Sequence, residues 1–75
     1  MAKTPSLDVR NYIEAFGGRQ QVINRIRKRF AVKLSIKQVD KWVERGSIPG
    51  AHLVCLQVIG EETNPPITML DFLTT

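Results

Sequence analysis

The segment Ser35 to Pro49, S-I-K-Q-V-D-K-W-V-E-R-G-S-I-P, constrains this chain more than any other. Ser35 is a residue type that caps helix N-termini, and Ile36, Val39 and Trp42 follow at helical spacing with Val43 beside them. Gly46 accepts the left-handed conformation in which helices commonly end, and Pro49 suits the first turn of the next helix because its missing N–H would have no partner there. The spacing therefore predicts a short helix from Ser35 to Arg45 that buries Val39 and Trp42. Its other face carries Lys37, Gln38, Asp40, Lys41, Glu44 and Arg45, side chains able to reach base edges and phosphates.

With 75 residues the chain is expected to form one small domain over 1–75, too small for a large core, so a partner subunit is a fair expectation. The same apolar reading extends in both directions. Residues 1–5 read as a loose arm. Ser6 is the candidate cap of a first helix, with Leu7, Val9, Tyr12, Ile13 and Phe16 on its stripe and Gly17-Gly18 ending it. A second helix begins near Arg19 and puts Val22, Ile23, Ile26 and Phe30 on one side; Ala31 to Leu34 is the turn before Ser35. A fourth helix is expected from Pro49 to Ile59 with Leu53, Leu56 and Ile59 inward and Gly60 as its end. Asn64-Pro65-Pro66 reads as a rigid loop. Thr68 is the candidate cap of a last short helix through Met69, Leu70 and Leu73; the alternative for Ile67 to Leu73 is a short strand. The expected fold class is all-α, a small domain of four to five helices.

Charge is placed unevenly. Of the residues from 19 to 45, nine are basic (Arg19, Arg25, Arg27, Lys28, Arg29, Lys33, Lys37, Lys41, Arg45) against Asp40 and Glu44. After Arg45 there is no Lys or Arg, only the acids Glu61, Glu62 and Asp71, while the whole chain carries +4. A basic face that coincides with a capped helix is an electrostatic footprint for a polyanion.

Phe16-Gly17-Gly18-Arg19-Gln20-Gln21-Val22, Val39-Asp40-Lys41-Trp42, Gly46-Ser47-Ile48-Pro49 and Ile67-Thr68-Met69-Leu70 together resemble the Cro/CI-type helix-turn-helix regulators of phages and prophages, in particular the small Cro-like or YdaS-like group. The resemblance spans about residues 7 to 73. It implies a helix-turn-helix in which the helix from Ser35 enters the major groove and the first residues of the preceding helix hold the DNA backbone. One departure stands out. Val22 and Val39 lie seventeen positions apart here, about six more than the family's usual spacing between these two motif helices. The extra residues read as an extension of the second helix through Arg27-Lys28-Arg29-Phe30 plus a longer turn. The family's contacts therefore carry over only to that helix's N-terminus.

The candidate DNA-binding residues are Arg19, Gln20, Ser35, Lys37, Gln38, Lys41 and Arg45. Lys37 and Lys41 can donate to guanine O6 and N7, and Gln38 can pair with adenine N6 and N7. Arg19 and Gln20 open a helix, where backbone N–H groups and the helix dipole favour a phosphate. Ser35 is first a cap and second a phosphate contact; Asp40 balances nearby lysines or accepts from cytosine N4. Arg25, Arg27, Lys28, Arg29 and Lys33 supply phosphate contacts or field.

Other chemistries have little footing. His52 and Cys55 stand alone, without the companions that a zinc site or a nucleophilic triad needs, and no glycine-rich phosphate loop follows a strand. No enzyme, cofactor, metal or small-molecule ligand is expected. Cys55 is the only cysteine and no apolar stretch approaches a membrane span, so the expected location is cytoplasmic. The expected function is sequence-specific binding of double-stranded DNA as a homodimeric transcriptional regulator of the Cro-like repressor kind. The alternatives are a DNA-bending, excisionase-like protein and an antitoxin-like protein-interaction module on the same scaffold. Ile67 to Leu73 is the expected dimerisation element, projected outward by Asn64-Pro65-Pro66; the competing reading folds it back over the core.

Overall fold

The computed structural model describes residues 6–74; the arm expected over 1–5 lies outside them. The chain runs through β1 (Ser6–Leu7), α1 (Val9–Ala15), α2 (Arg19–Phe30), α3 (Ile36–Arg45), α4 (Gly50–Glu62), a 3-10 helix η1 (Met69–Phe72) and β2 (Leu73–Thr74). The fold is all-α apart from the two-residue strands, which pair antiparallel with Ser6 opposite Thr74 and Leu7 opposite Leu73.

Every buried side chain on one face of each helix meets the others in a single core. Val9, Tyr12 and Ile13 come from α1, Val22, Ile23 and Ile26 from α2, Val39 and Trp42 from α3, and Leu56 and Ile59 from α4. Phe16 and Ile48 enter it from the connections. The Tyr12 ring meets Phe16 edge-on with centroids 5.2 Å apart, an arrangement that suits the quadrupoles of the two rings. The Tyr12 hydroxyl is buried without a hydrogen-bond partner, and desolvation raises its pKa above the ordinary phenol value.

The helix ends show how local chemistry and tertiary contact share control. Asp8, not the expected Ser6, caps α1: its carboxylate accepts from the backbone N–H and the side-chain amide of Asn11. Ser6 is instead held in β1, its hydroxyl 3.0 Å from that of Thr74. The end of α2 carries Ala31 in the left-handed region at φ 57°, a conformation that glycine usually supplies. At the end of α3, Gly46 takes that conformation at φ 70°, and the Ser47 N–H reaches back to the Trp42 carbonyl at 3.1 Å.

Two further expectations need correction. Gly60 does not end α4, which continues to Glu62. Gly60 is buried because the returning chain crosses it: the Ile67 N–H donates to the Gly60 carbonyl at 2.9 Å, and a Cβ at position 60 would run into the Ile67 carbonyl oxygen. The Thr63 hydroxyl fixes this turn by donating to the carbonyl of Gly60 at 2.7 Å and accepting from the Ile67 N–H at 3.1 Å. It follows that Asn64-Pro65-Pro66 does not project the tail. The segment folds back along α4 and reaches α1, where the Asp8 N–H donates to the Phe72 carbonyl at 2.7 Å and the Phe72 ring lies 5.4 Å from that of Tyr12. Thr68 opens η1 as expected, although without a side-chain cap bond to the helix; its hydroxyl bonds the Asp71 carboxylate at 2.9 Å instead. Of the tail's apolar residues, Ile67, Met69 and Phe72 pack on the core, whereas Leu70 and Leu73 stay exposed.

Candidate nucleic-acid interface

The site is built on α3, and the sequence around that helix explains its rigidity. Ser35 and Gln38 form a reciprocal capping box: the Gln38 N–H donates to the Ser35 hydroxyl at 3.2 Å, and the Ser35 N–H donates to the Gln38 side-chain oxygen at 2.8 Å. Val39 is fully buried and Trp42 is 5% exposed, so two anchors three residues apart on one side of the helix fix its rotation about its own axis. The Trp42 indole also lies against the His52 imidazole of α4, centroids 5.2 Å apart.

With Val39 and Trp42 turned inward, the opposite side of α3 presents Lys37, Lys41 and Arg45 at four-residue steps, and all three are exposed. A step of four residues rises about 6 Å, so these cations form a row about 12 Å long on one face of the helix. Glu44 lies within the same face. None of the three cations has an ion-pair partner among the described residues, whereas the two ion pairs that do occur there use Arg19 and Arg29.

The remaining expected contacts divide. Arg19, the first residue of α2, pairs with the Asp40 carboxylate of α3 and so bridges the two helices. Asp40 is thereby the partner of an arginine, not of a lysine on its own helix. Gln20 bonds the Asn24 side chain one turn along α2 at 3.0 Å. The N-cap of α2 is Gly18 at φ 100°, and no side chain bonds the helix's first N–H groups, so those donors stay open beside Arg19 and Gln20. Gln38 is exposed, but its oxygen is engaged in the capping box. A bidentate adenine contact therefore requires that oxygen to accept a second hydrogen bond or to release the first, which lowers the expected weight of Gln38 in base reading. Ser35 is likewise occupied as a cap, as expected.

The basic residues of α2 sort onto two sides. Arg25, Lys28 and Arg29 line a depression with Ile59 and Glu62 of α4 and with Thr63 just after it, and the Arg29 guanidinium meets Glu62 at 2.9 Å. Arg27 follows Gln20 and Asn24 at helical spacing and belongs to the other side. The α3 face also recruits residues that sequence reasoning missed. Ser47, Pro49 and His52 line a depression with Gln38, Lys41, Trp42 and Arg45 along its flank. Arg10 of α1 shares another with Glu14, Arg19 and Val43. The Ser47–Pro49 turn was visible as a motif, yet its placement beside the cations of α3 follows only from the path of the turn. Arg10 gave no signal, because it lies outside the basic run.

Among the described residues no group of three or more His, Cys, Asp or Glu side chains is placed to hold a metal ion, and no helix is long and apolar enough to cross a membrane. No family model, curated protein or solved structure matches the chain.

Proposed function

We propose that the protein binds double-stranded DNA sequence-specifically and regulates transcription by occupying an operator, in the manner of a Cro-like repressor acting in the cytoplasm. In this reading α2, the turn 31–35 and α3 form the helix-turn-helix, and α3 is the recognition helix. The observation that carries the reading is the unpaired row Lys37, Lys41 and Arg45 on the outer face of a helix whose rotation is fixed by Val39 and Trp42. A rigid polar face of this kind suits a groove lined by acceptors and bordered by phosphates. Lys37 and Lys41 read base edges; Arg45 and the open N-terminus of α2, with Arg19 and Gln20, hold phosphates. Two copies engage the two halves of a palindromic operator.

Basic residues on a second flank favour one other reading. Arg25 and Lys28 face the α4 side of α2, so DNA held by α3 and drawn toward that flank would be bent. This makes the protein an architectural factor instead of a repressor.

Selection of sites from random duplex DNA with the full chain tests the proposal. An enriched palindrome supports an operator-binding regulator. Enrichment of flexible pyrimidine–purine steps without a motif supports bending. Binding that persists in high salt, or no binding at all, contradicts both, since phosphate contacts make affinity fall with salt.

A further inference from the structure

Helix α4 is apolar around most of its circumference. From Gly50 to Gly60 it contains no Asp, Glu, Lys or Arg, and its inward side chains Leu56 and Ile59 already fill the core. On the outer side Ala51 and Val54 are exposed, Val54 by 57%, and Val58 is half-buried. The folded-back tail adds Leu70, 72% exposed, beside Gln57 and Glu61 of the same helix. An apolar strip on an isolated helix face points to something that covers it.

The charges at the two ends of α4 identify the cover. Its N-cap is Pro49, which offers no side-chain bond to the first N–H groups. Its acids stand at the wrong end: Glu61 and Glu62 sit at the C-terminus, where the helix dipole is negative and a carboxylate is disfavoured. Arg29 offsets Glu62, but Glu61 has no ion-pair or hydrogen-bond partner among the described residues. A second α4 laid antiparallel on the first repairs both ends at once. A register centred on position 56 sets Val58 opposite Val54 of the partner subunit and Glu61 opposite the partner subunit's Ala51, beside its uncapped N–H groups. The surface is thus complementary to itself in charge at its ends and apolar between them. A chain of charge +4 with every Lys and Arg at or before position 45 also meets its own copy with least repulsion on this side.

We infer that the outer face of α4, through Ala51, Val54, Val58 and Glu61, is a two-fold interface between copies of this chain. The inference rests on the two-copy part of the proposed function but not on DNA binding. It replaces the tail as the centre of the dimer; Leu70 lies at the rim.

Sedimentation equilibrium of the full chain without DNA tests it, with circular dichroism as the control for folding. The wild type sediments as a dimer at about 100 µM, a concentration that detects even modest affinity. Val54→Asp, at an exposed position, leaves the helical signal intact and raises the dimer dissociation constant at least ~100-fold, because each copy then buries an unpaired carboxylate against Val58 of the partner subunit. Glu61→Lys weakens the dimer roughly tenfold by setting a cation against the positive end of the partner helix. It serves as the deciding variant if Val54→Asp fails to fold. A wild-type monomer at this concentration, a Val54→Asp or Glu61→Lys dimer as tight as wild type, or loss of the dimer with Leu70→Asp alone overturns the inference. A monomer that still selects a DNA half-site would leave DNA reading standing, whereas a dimer that ignores DNA would leave the interface standing.

Discussion

Helices α3 and α4 are consecutive, of similar length and packed on the same core, yet they are built in opposite ways. α3 has a side-chain cap at its start, a glycine in the left-handed region at its end, two buried anchors, and a charged outer face. α4 has no side-chain cap, no charge before Glu61, and apolar residues outside as well as inside. Local chemistry alone stabilises the ends of α3, so its outer face is left available for a polar partner. α4 depends on what covers it: the core on one side, the returning tail over Gly60, and by our inference a second α4 on the rest. The contrast shows that a helix's outer face names the chemistry of its partner only after the inner face and the two ends have been accounted for.

The largest effect that would break this contrast comes from the anchor of α3. Trp42→Ala should cost about 3–5 kcal/mol, the usual range for a buried aromatic, which approaches the whole stability of a small domain. A thermal melt like that of the wild type would mean that Trp42 does not hold α3. On the α4 side, Gly60→Ala forces a methyl group into the Ile67 carbonyl and should cost about 1–3 kcal/mol as an overpacked contact. Because the clash is with the tail, proteolysis should begin after Thr63 in this variant. An unchanged melt and digestion pattern would contradict the folded-back tail.

Smaller effects are expected at the helix ends. Ser35→Ala removes the cap of α3 and should cost about 1 kcal/mol by chemical denaturation. No comparable single residue exists at the start of α4, where Pro49 makes no cap bond. Ala31→Gly relieves a left-handed alanine at the end of α2 and should gain up to about 1 kcal/mol, bringing that end closer to the glycine-terminated α3. A loss on this substitution would show that flexibility added to the unfolded chain outweighs the strain relieved.

The sequence made α3 almost fully legible, because cap, stripe and terminating glycine lie within twelve consecutive residues, Ser35 to Gly46, and act locally. The core stripes of α1 and α2 were legible for the same reason. What escaped was set by contacts distant in sequence. Ser6 resembled a cap but is taken by Thr74, and Asp8 serves in its place. Gly60 resembled a helix end but is a crossing point for Ile67. The Arg19–Asp40 pair joins two residues expected to act separately, and the capping-box bond of Gln38 occupies an atom that base reading would use. Arg10 and His52 border the α3 face only because α1 and α4 pack beside it.

In the proposed function the outer face of α3 chooses the DNA site, and repeating the random-duplex selection with Lys41→Ala and, as a control, Arg25→Ala measures that choice. Lys41→Ala should relax the preference at one base pair by about 1–3 kcal/mol. Arg25→Ala should keep the wild-type motif and alter at most its affinity and salt dependence. A Lys41→Ala protein that selects the wild-type motif unchanged, or an Arg25→Ala protein that loses it, would mean that the outer face of α3 does not choose the site.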